Sequence, residues 1–223
     1  MPDDQVHHAL HVMRLRDGEL VELFDGQGCY AQARAVINKK QINFEIDGEV
    51  NVSPPPPFQL HVATAIPKSD RSEQLVDAAS QLGVHTLSWI ICERSCVKLD
   101  DRRGKLTKWH RVAVESAKQC RRNWLMQIEA PITLSDYLTR CTHMKVLANP
   151  LSPSHLTEIL QQPRPPAITI FIGPEGGFTP DEMQSLLTAA CQPFTLGVNI
   201  LRIETAVAAA AAIMSKWSMP LLP

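Results

Sequence analysis

No stretch of the 223-residue chain is apolar for long enough to cross a membrane, and none reads as a signal peptide. The six cysteines (Cys29, Cys92, Cys96, Cys120, Cys141, Cys191) are scattered, without a C-x-x-C pair. That pattern excludes a disulfide framework, and the thiols are expected to be reduced and mostly buried in a cytoplasmic protein. Charge of one sign is also missing. Against 22 Lys and Arg stand 23 Asp and Glu, a formal net charge of −1, so no global field draws the chain to nucleic acid. His8 and His11 lie three apart, but no cysteine or carboxylate joins them at metal-ligand spacing, and no metal is expected. No strand carries G-x-G-x-x-G, which argues against a dinucleotide-binding Rossmann enzyme.

The length suffices for one large or two small domains with a sizeable core. The run Ser53, Pro54, Pro55, Pro56, Pro57 marks the border, because consecutive prolines are stiff and cannot join a central strand. Residues 1–55 and 56–223 are therefore taken as separate domains. In the first, Val6, Leu10 and Met13 have helical spacing that ends near Asp17 and Gly18. Strand-like runs follow at 19–24, 30–38 and 41–46, separated by turn signals at Asp25-Gly26, Lys39-Lys40 and Asp47-Gly48.

The second domain opens with an apolar strand, 59–66. A helix follows, with Leu75, Val76, Ala79 and Leu82 on one face and Gly83 as its stop, and then a strand, 86–92. Such βαβ units build parallel sheets, whose ligands gather at the carboxyl ends of strands. Lys68 and Arg71 stand at such an end and could contact phosphate, or could simply be solvated. Residues 102–105 read as a mobile loop and 108–122 as a helix with Trp109, Val112, Ala113, Ser116 and Ala117 on one face. Between Arg102 and Arg122 there are eight basic residues and one acid, Glu115, so a nucleic-acid contact would be a local patch here. A strand is expected at 144–148, and a helix starting at Ser152-Pro153 by the cap-then-proline rule.

The most informative stretch is 168–206. An apolar β-branched strand, 168–172, stops at Gly173, Pro174, Glu175, Gly176, Gly177. Glycines there permit special backbone angles and close approach of a ligand to the main chain. Thr179 as N-cap, Pro180 at the first helical position and Glu182 as the reciprocal partner predict a capping box. A second strand-to-loop transition follows at 194–197, leading to Arg202, Glu204 and the Ala-rich helix that ends near Trp217.

The pair FIGPEGGFTPDE and LGVNILRIETA, in that order, resembles the signature of the 16S rRNA uracil-N3 methyltransferase family, knotted (SPOUT-type) enzymes. Weaker resemblance extends through HHALHVMRLRDGELVELFDG, through KSDRSEQL with LGV, and through ESAKQCRR. The resemblance implies an α/β SPOUT fold, a parallel sheet with a C-terminal trefoil knot, preceded by a PUA-like β-barrel that binds RNA. It implies S-adenosyl-L-methionine as cofactor, 16S rRNA or the small ribosomal subunit as partner, and a homodimer. Main-chain groups around Ile172, Gly173, Pro174, Gly176, Gly177, Leu196, Gly197, Ile200, Leu201 and Thr205 would hold the cofactor, with a third, looser loop at 147–150. RNA would meet Arg14, Arg16, Lys68, Arg71, Gln119, Arg121 and Arg122. Arg202 would stabilise an anion on the base, and Glu175 or Glu204 would accept the N3 proton, unless either glutamate caps a helix or pairs with Arg202. The family usually has an aromatic strand before the His-His pair and a proline after ESAKQCRR, where this chain has Trp124, Leu125 and Met126. An RNA-binding protein of the same fold without catalysis is therefore the alternative.

Overall fold

The computed structural model describes residues 15–38, 41–68, 71–96 and 103–218. The expected helix through Val6, Leu10 and Met13, Arg14, and the His8 and His11 pair lie outside the described residues. The chain falls into two compact units, Met1–Pro55 and Pro56–Pro223.

Period-two alternation shapes the smaller unit. Strands β1 (Leu20–Phe24), β2 (Cys29–Asn38), β3 (Gln41–Ile46) and β4 (Asn51–Val52) form an antiparallel sheet, with β2 pairing to each of the others. Along β2, Ala31, Ala33 and Ala35 are buried while Gln32 and Arg34 face out, as the pleat requires. Asp25 closes the β1–β2 turn by accepting the amides of Gln27 and Cys29, with Gly26 and Gly28 at positive φ.

The larger unit is an α/β layer structure. Its strands are β5 (Gln59–Ala65), β6 (Thr86–Ile91), β7 (Gln127–Thr133), β8 (Met144–Ala148), β9 (Ala167–Ile172) and β10 (Gln192–Phe194). They lie in the order β10-β8-β9-β5-β6-β7, and every adjacent pair is parallel. The helices are α1 (Arg71–Gln81), α2 (Arg103–Cys120), α3 (Leu134–Arg140), α4 (Leu156–Ile159), α5 (Pro180–Thr188) and α6 (Ile203–Ser218). None of the described helices is long and apolar enough to span a membrane.

Alternation splits the core between the two sheet faces. Ile168, Ile170 and Ile172 of β9 and Leu87 and Trp89 of β6 join one cluster with α1, α2 and α6. Phe171 and Ile90 join a smaller cluster with α3 and α5. In the larger one, Trp89 and Trp109 lie 4.5 Å apart between ring centroids, and the Trp109 indole N–H donates to Ser72 Oγ at 3.1 Å.

Several elements depart from the sequence reading. Helix α2 already includes Arg103, so residues 103–105 are helical rather than a loop. The helix expected from Ser152-Pro153 begins only at Leu156, after a His155 cap without side-chain bonding. Ser152 instead donates its hydroxyl to the Pro193 carbonyl, tying this segment to β10. Strand β7 and helix α3 were not expected, because Pro131 obscures the strand pattern. β7 is an edge strand, and its register shifts between the pairs Ser88↔Glu129 and Ile90↔Ile132, where Pro131 sits in the bulge. Of the six cysteines, all free, only Cys92 and Cys191 are buried.

At the amino ends of the strands three imidazoles meet. The His61 ring lies 4.1 Å from that of His143 and 5.5 Å from that of His85. Burial, reinforced by His143 and His85, pushes His61 down to about 4. Burial lowers His85 too, aided by Arg122 and His143, and lowers His143, aided by Lys145. The unfolded chain protonates His61 near 6.5, so between about 6.5 and 4 it holds the extra proton. Stability is thus full above that window and falls as the pH drops through it, by on the order of 2–3 kcal/mol from His61. Urea titrations at pH 7.5 and 4.5 should show this loss, and His61→Phe should reduce it. A second measurement concerns the capping box: Thr179→Ala should cost about 1 kcal/mol in the same assay at pH 7.5.

Candidate functional site

Because the sheet is wholly parallel, the loops after β5, β6, β8, β9 and β10 open along one edge. From β5 the chain steps outward through β6 to β7, whereas β8 and β10 lie beyond β9 on the other side. The order therefore reverses at the β5/β9 pair, the place where ligands of open α/β sheets gather.

The glycine loop, residues 173–179, leaves β9 at that point. Pro174 is buried, and its carbonyl accepts the Gly177 amide at 2.8 Å. Gly177 has φ +71, and a Cβ added there would meet nothing within 4 Å, so it faces open space. At Gly173 an added Cβ would lie 2.9 Å from the Phe178 ring. Arg94, at the end of β6, donates from Nη1 to the Gly176 carbonyl at 2.9 Å. The loop closes on α5 through the expected capping box: Glu182 N donates to Thr179 Oγ1, and Thr179 N donates to Glu182 Oε2. The other oxygen of Glu182 accepts the Glu93 amide at 2.8 Å, so the connections after β9 and β6 are joined across the end of β5.

The second loop, residues 195–202, leaves β10, which pairs with β8. Thr195 Oγ1 donates to the Gly197 carbonyl at 2.9 Å, and Gly197 adopts φ +147. Leu196 packs against the core. Val198 and Ile200 are 99% and 86% exposed, unusual for large apolar side chains. The looser third loop lies between the other two, with Asn149 N donating to the Phe194 carbonyl at 2.8 Å.

One guanidinium joins the glycine loop to the first turn of α6. Arg71, the first residue of α1, places Nη2 3.6 Å from Glu175 Oε1 and Nη1 3.9 Å from Glu204 Oε1. Its Nε donates to the Lys68 carbonyl at 3.2 Å. Lys68 N in turn donates to Glu175 Oε1 at 3.4 Å. Glu204 lies in the first turn of α6, and its Oε2 is buried with no hydrogen-bond partner among the described residues.

Both glutamates singled out from the sequence thus meet, through Arg71 rather than Arg202, which is exposed as the residue before α6. Lys68, Gln119, Arg121, Thr205 and Arg16 are also exposed. Arg122 is instead half-buried and engaged within the fold. Its Nη1 donates to the Ser80 carbonyl at 2.9 Å and its Nη2 to the Val84 carbonyl at 2.7 Å. It therefore satisfies carbonyls at the end of α1 and just beyond it, a structural role. Sequence reasoning missed Arg94, whose position just past the carboxyl end of β6 was the available signal. A cavity of about 240 Å³ beside the glycine loop, lined by Ile91, Glu93, Thr133, Thr179 and Glu182, was also not foreseen. Among the described residues no group of three or more His, Cys, Asp or Glu could hold a metal ion.

A family model for the RNA methyltransferase domain matches residues 54–215, and one for the RNA methyltransferase PUA domain matches residues 2–47. The chain is 31% identical over 215 residues to the ribosomal RNA small subunit methyltransferase E of Synechocystis sp., covering 93% of this chain and 69% of that protein. With the protein of the same name from Bacillus subtilis it shares 28% over 214 residues, covering 91% and 84%. Among solved structures, a ribosomal RNA small subunit methyltransferase E from Neisseria gonorrhoeae, bound to S-adenosyl methionine, has a TM-score of 0.88 at 29% identity. That likeness covers 97% of this chain and 90% of that one. A methyltransferase from Legionella pneumophila in complex with SAM has a TM-score of 0.89 at 28% identity over the same shares. The two glycine loops on one sheet edge and these matches agree: the chain belongs to the ribosomal RNA small subunit methyltransferase E family.

Proposed function

We propose that the protein methylates N3 of a specific uridine in 16S rRNA, using S-adenosyl-L-methionine. The observation that carries this reading is the convergence of both glycine loops on one carboxylate-lined edge at the strand-order reversal. The residues there suit the cofactor. Gly177 opens onto space that a Cβ would enter, and the buried Glu204 Oε2, without a partner among the described residues, suits a cationic or proton-donating group. The backbone of Ile172, Gly173, Pro174, Gly176 and Gly177 would form one wall of the cradle. Leu196, Gly197, Ile200, Leu201 and Thr205 would form the other. When bound, the cofactor supplies an electrophilic methyl group.

The remaining chemistry belongs to the chain. Uracil N3 carries a proton at neutral pH and becomes a nucleophile only when that proton leaves. Glu204 is the better acceptor, because Glu175 already accepts the Lys68 amide and its side chain is 28% exposed against 13% for Glu204. Arg202, exposed beside α6, would stabilise the anion that develops on the uracil carbonyls. Arg16, Lys68, Gln119 and Arg121 remain available to phosphate, the smaller unit would hold the RNA, and reaction in the cytoplasm follows from that substrate. The exposed Val198, Ile200 and Leu151 support a homodimer in which a second copy covers this edge. The passage of the chain after β10 through the glycine loop, forming the knot, belongs to the same proposal.

Calorimetric titration with S-adenosyl-L-methionine, followed by methyl transfer to a 16S rRNA transcript and mass mapping of the product, tests this reading. Absence of both binding and transfer would overturn it. Gly177→Val should abolish binding while costing about 1–2 kcal/mol of stability for its positive φ. Full affinity in that variant would remove the loop from the cradle. Arg202→Ala should lower kcat roughly 10²-fold with little change in cofactor Kd. Unchanged turnover would take Arg202 out of the mechanism.

A further inference from the structure

We infer that Arg71 is a positioning residue that clamps the two loops of the proposed cradle together before any ligand arrives. The inference rests on the proposed function for its purpose, but its geometry stands alone. One guanidinium reaches Glu175 of the glycine loop at 3.6 Å and Glu204 of α6 at 3.9 Å. These glutamates are 29 residues apart and belong to separate strand–helix connections. The Nε bond to the Lys68 carbonyl fixes the plane of the fork, so the two Nη atoms point at different carboxylates. All three side chains are largely shielded, at 27%, 28% and 13% exposure, so solvent screens the pairs less than on an open surface.

The charge balance points the same way. One cation between two carboxylates leaves no positive surplus to attract an RNA phosphate, which sets Arg71 apart from the exposed Lys68 nearby. Without Arg71 the two carboxylates would face each other uncompensated, and their repulsion would part the loops. By engaging Oε1 of Glu204, the guanidinium leaves Oε2 as the free, buried oxygen. Arg71 thus selects which oxygen of Glu204 is offered to the ligand. Lysine carries a single point charge without the fork and could hold one carboxylate at a time.

The test compares wild type, Arg71→Met and Arg71→Lys in the full chain. Amide hydrogen exchange without cofactor should accelerate at least tenfold in both 173–178 and 196–202 in Arg71→Met, with Arg71→Lys intermediate. Calorimetry should show S-adenosyl-L-methionine binding weakened at least tenfold in Arg71→Met, while the Kd for a 16S rRNA transcript stays within twofold of wild type. Combining Arg71→Met with Glu204→Gln should weaken cofactor binding less than the two single effects added together. Unchanged exchange in both loops overturns the clamp, as does a loss confined to RNA affinity, which would make Arg71 a phosphate contact. A wild-type protein that binds no cofactor would overturn the proposed function, and the exchange measurement would still decide the clamp.

Discussion

A wholly parallel sheet places every strand's carboxyl end on the same side, so the loops that follow cannot avoid one another. In the larger unit this constraint brings together segments that are distant in the chain: Arg71 after β5, Arg94 after β6, Glu175 after β9 and Glu204 beyond β10. Each is unremarkable in its own segment. Polar joints hold the ensemble, with Arg94 on the Gly176 carbonyl, Glu182 on the Glu93 amide and Arg71 between two carboxylates. Each joint crosses from one strand connection to another, so the edge behaves as a single assembly.

The apolar packing beneath explains why those joints can be fine-tuned. Ile168, Ile170 and Ile172 are anchored in the larger core cluster, while Phe171 locks into the other face. A strand buried on both sides cannot slide by one residue without exchanging the two sets. The position at which β9 ends, and hence where Gly173 begins to turn, is therefore fixed by the core. The same sheet keeps three uncharged imidazoles at its opposite end, where their protonation is felt in folding.

What the sequence disclosed was what local chemistry determines. The capping box at Thr179 and Glu182, the stop at Gly83 and the buried run of β9 depend on neighbours within a few residues, and each is found where its pattern placed it. Both loop motifs were visible for the same reason. What stayed hidden was set by distant partners. Arg122 sits in a basic run and looks like a nucleic-acid contact, yet its acceptors are the carbonyls of Ser80 and Val84, 42 and 38 residues away. Arg71 looked free at the end of a strand because Glu175 and Glu204 arrive only through tertiary folding. Strand β7 escaped notice because a proline masks alternation, and only its edge position makes that proline tolerable.

That same proline has a bearing on how the molecule behaves in company. A regular outer strand offers a row of unmatched amides and carbonyls on which another chain could lay down a new strand. At β7 the kink between Ala130 and Ile132 breaks that row, and Pro131 contributes no N–H to it. A foreign strand would find short, misaligned pieces of ladder there, so on this flank the sheet resists stacking edge to edge with its neighbours in a crowded solution.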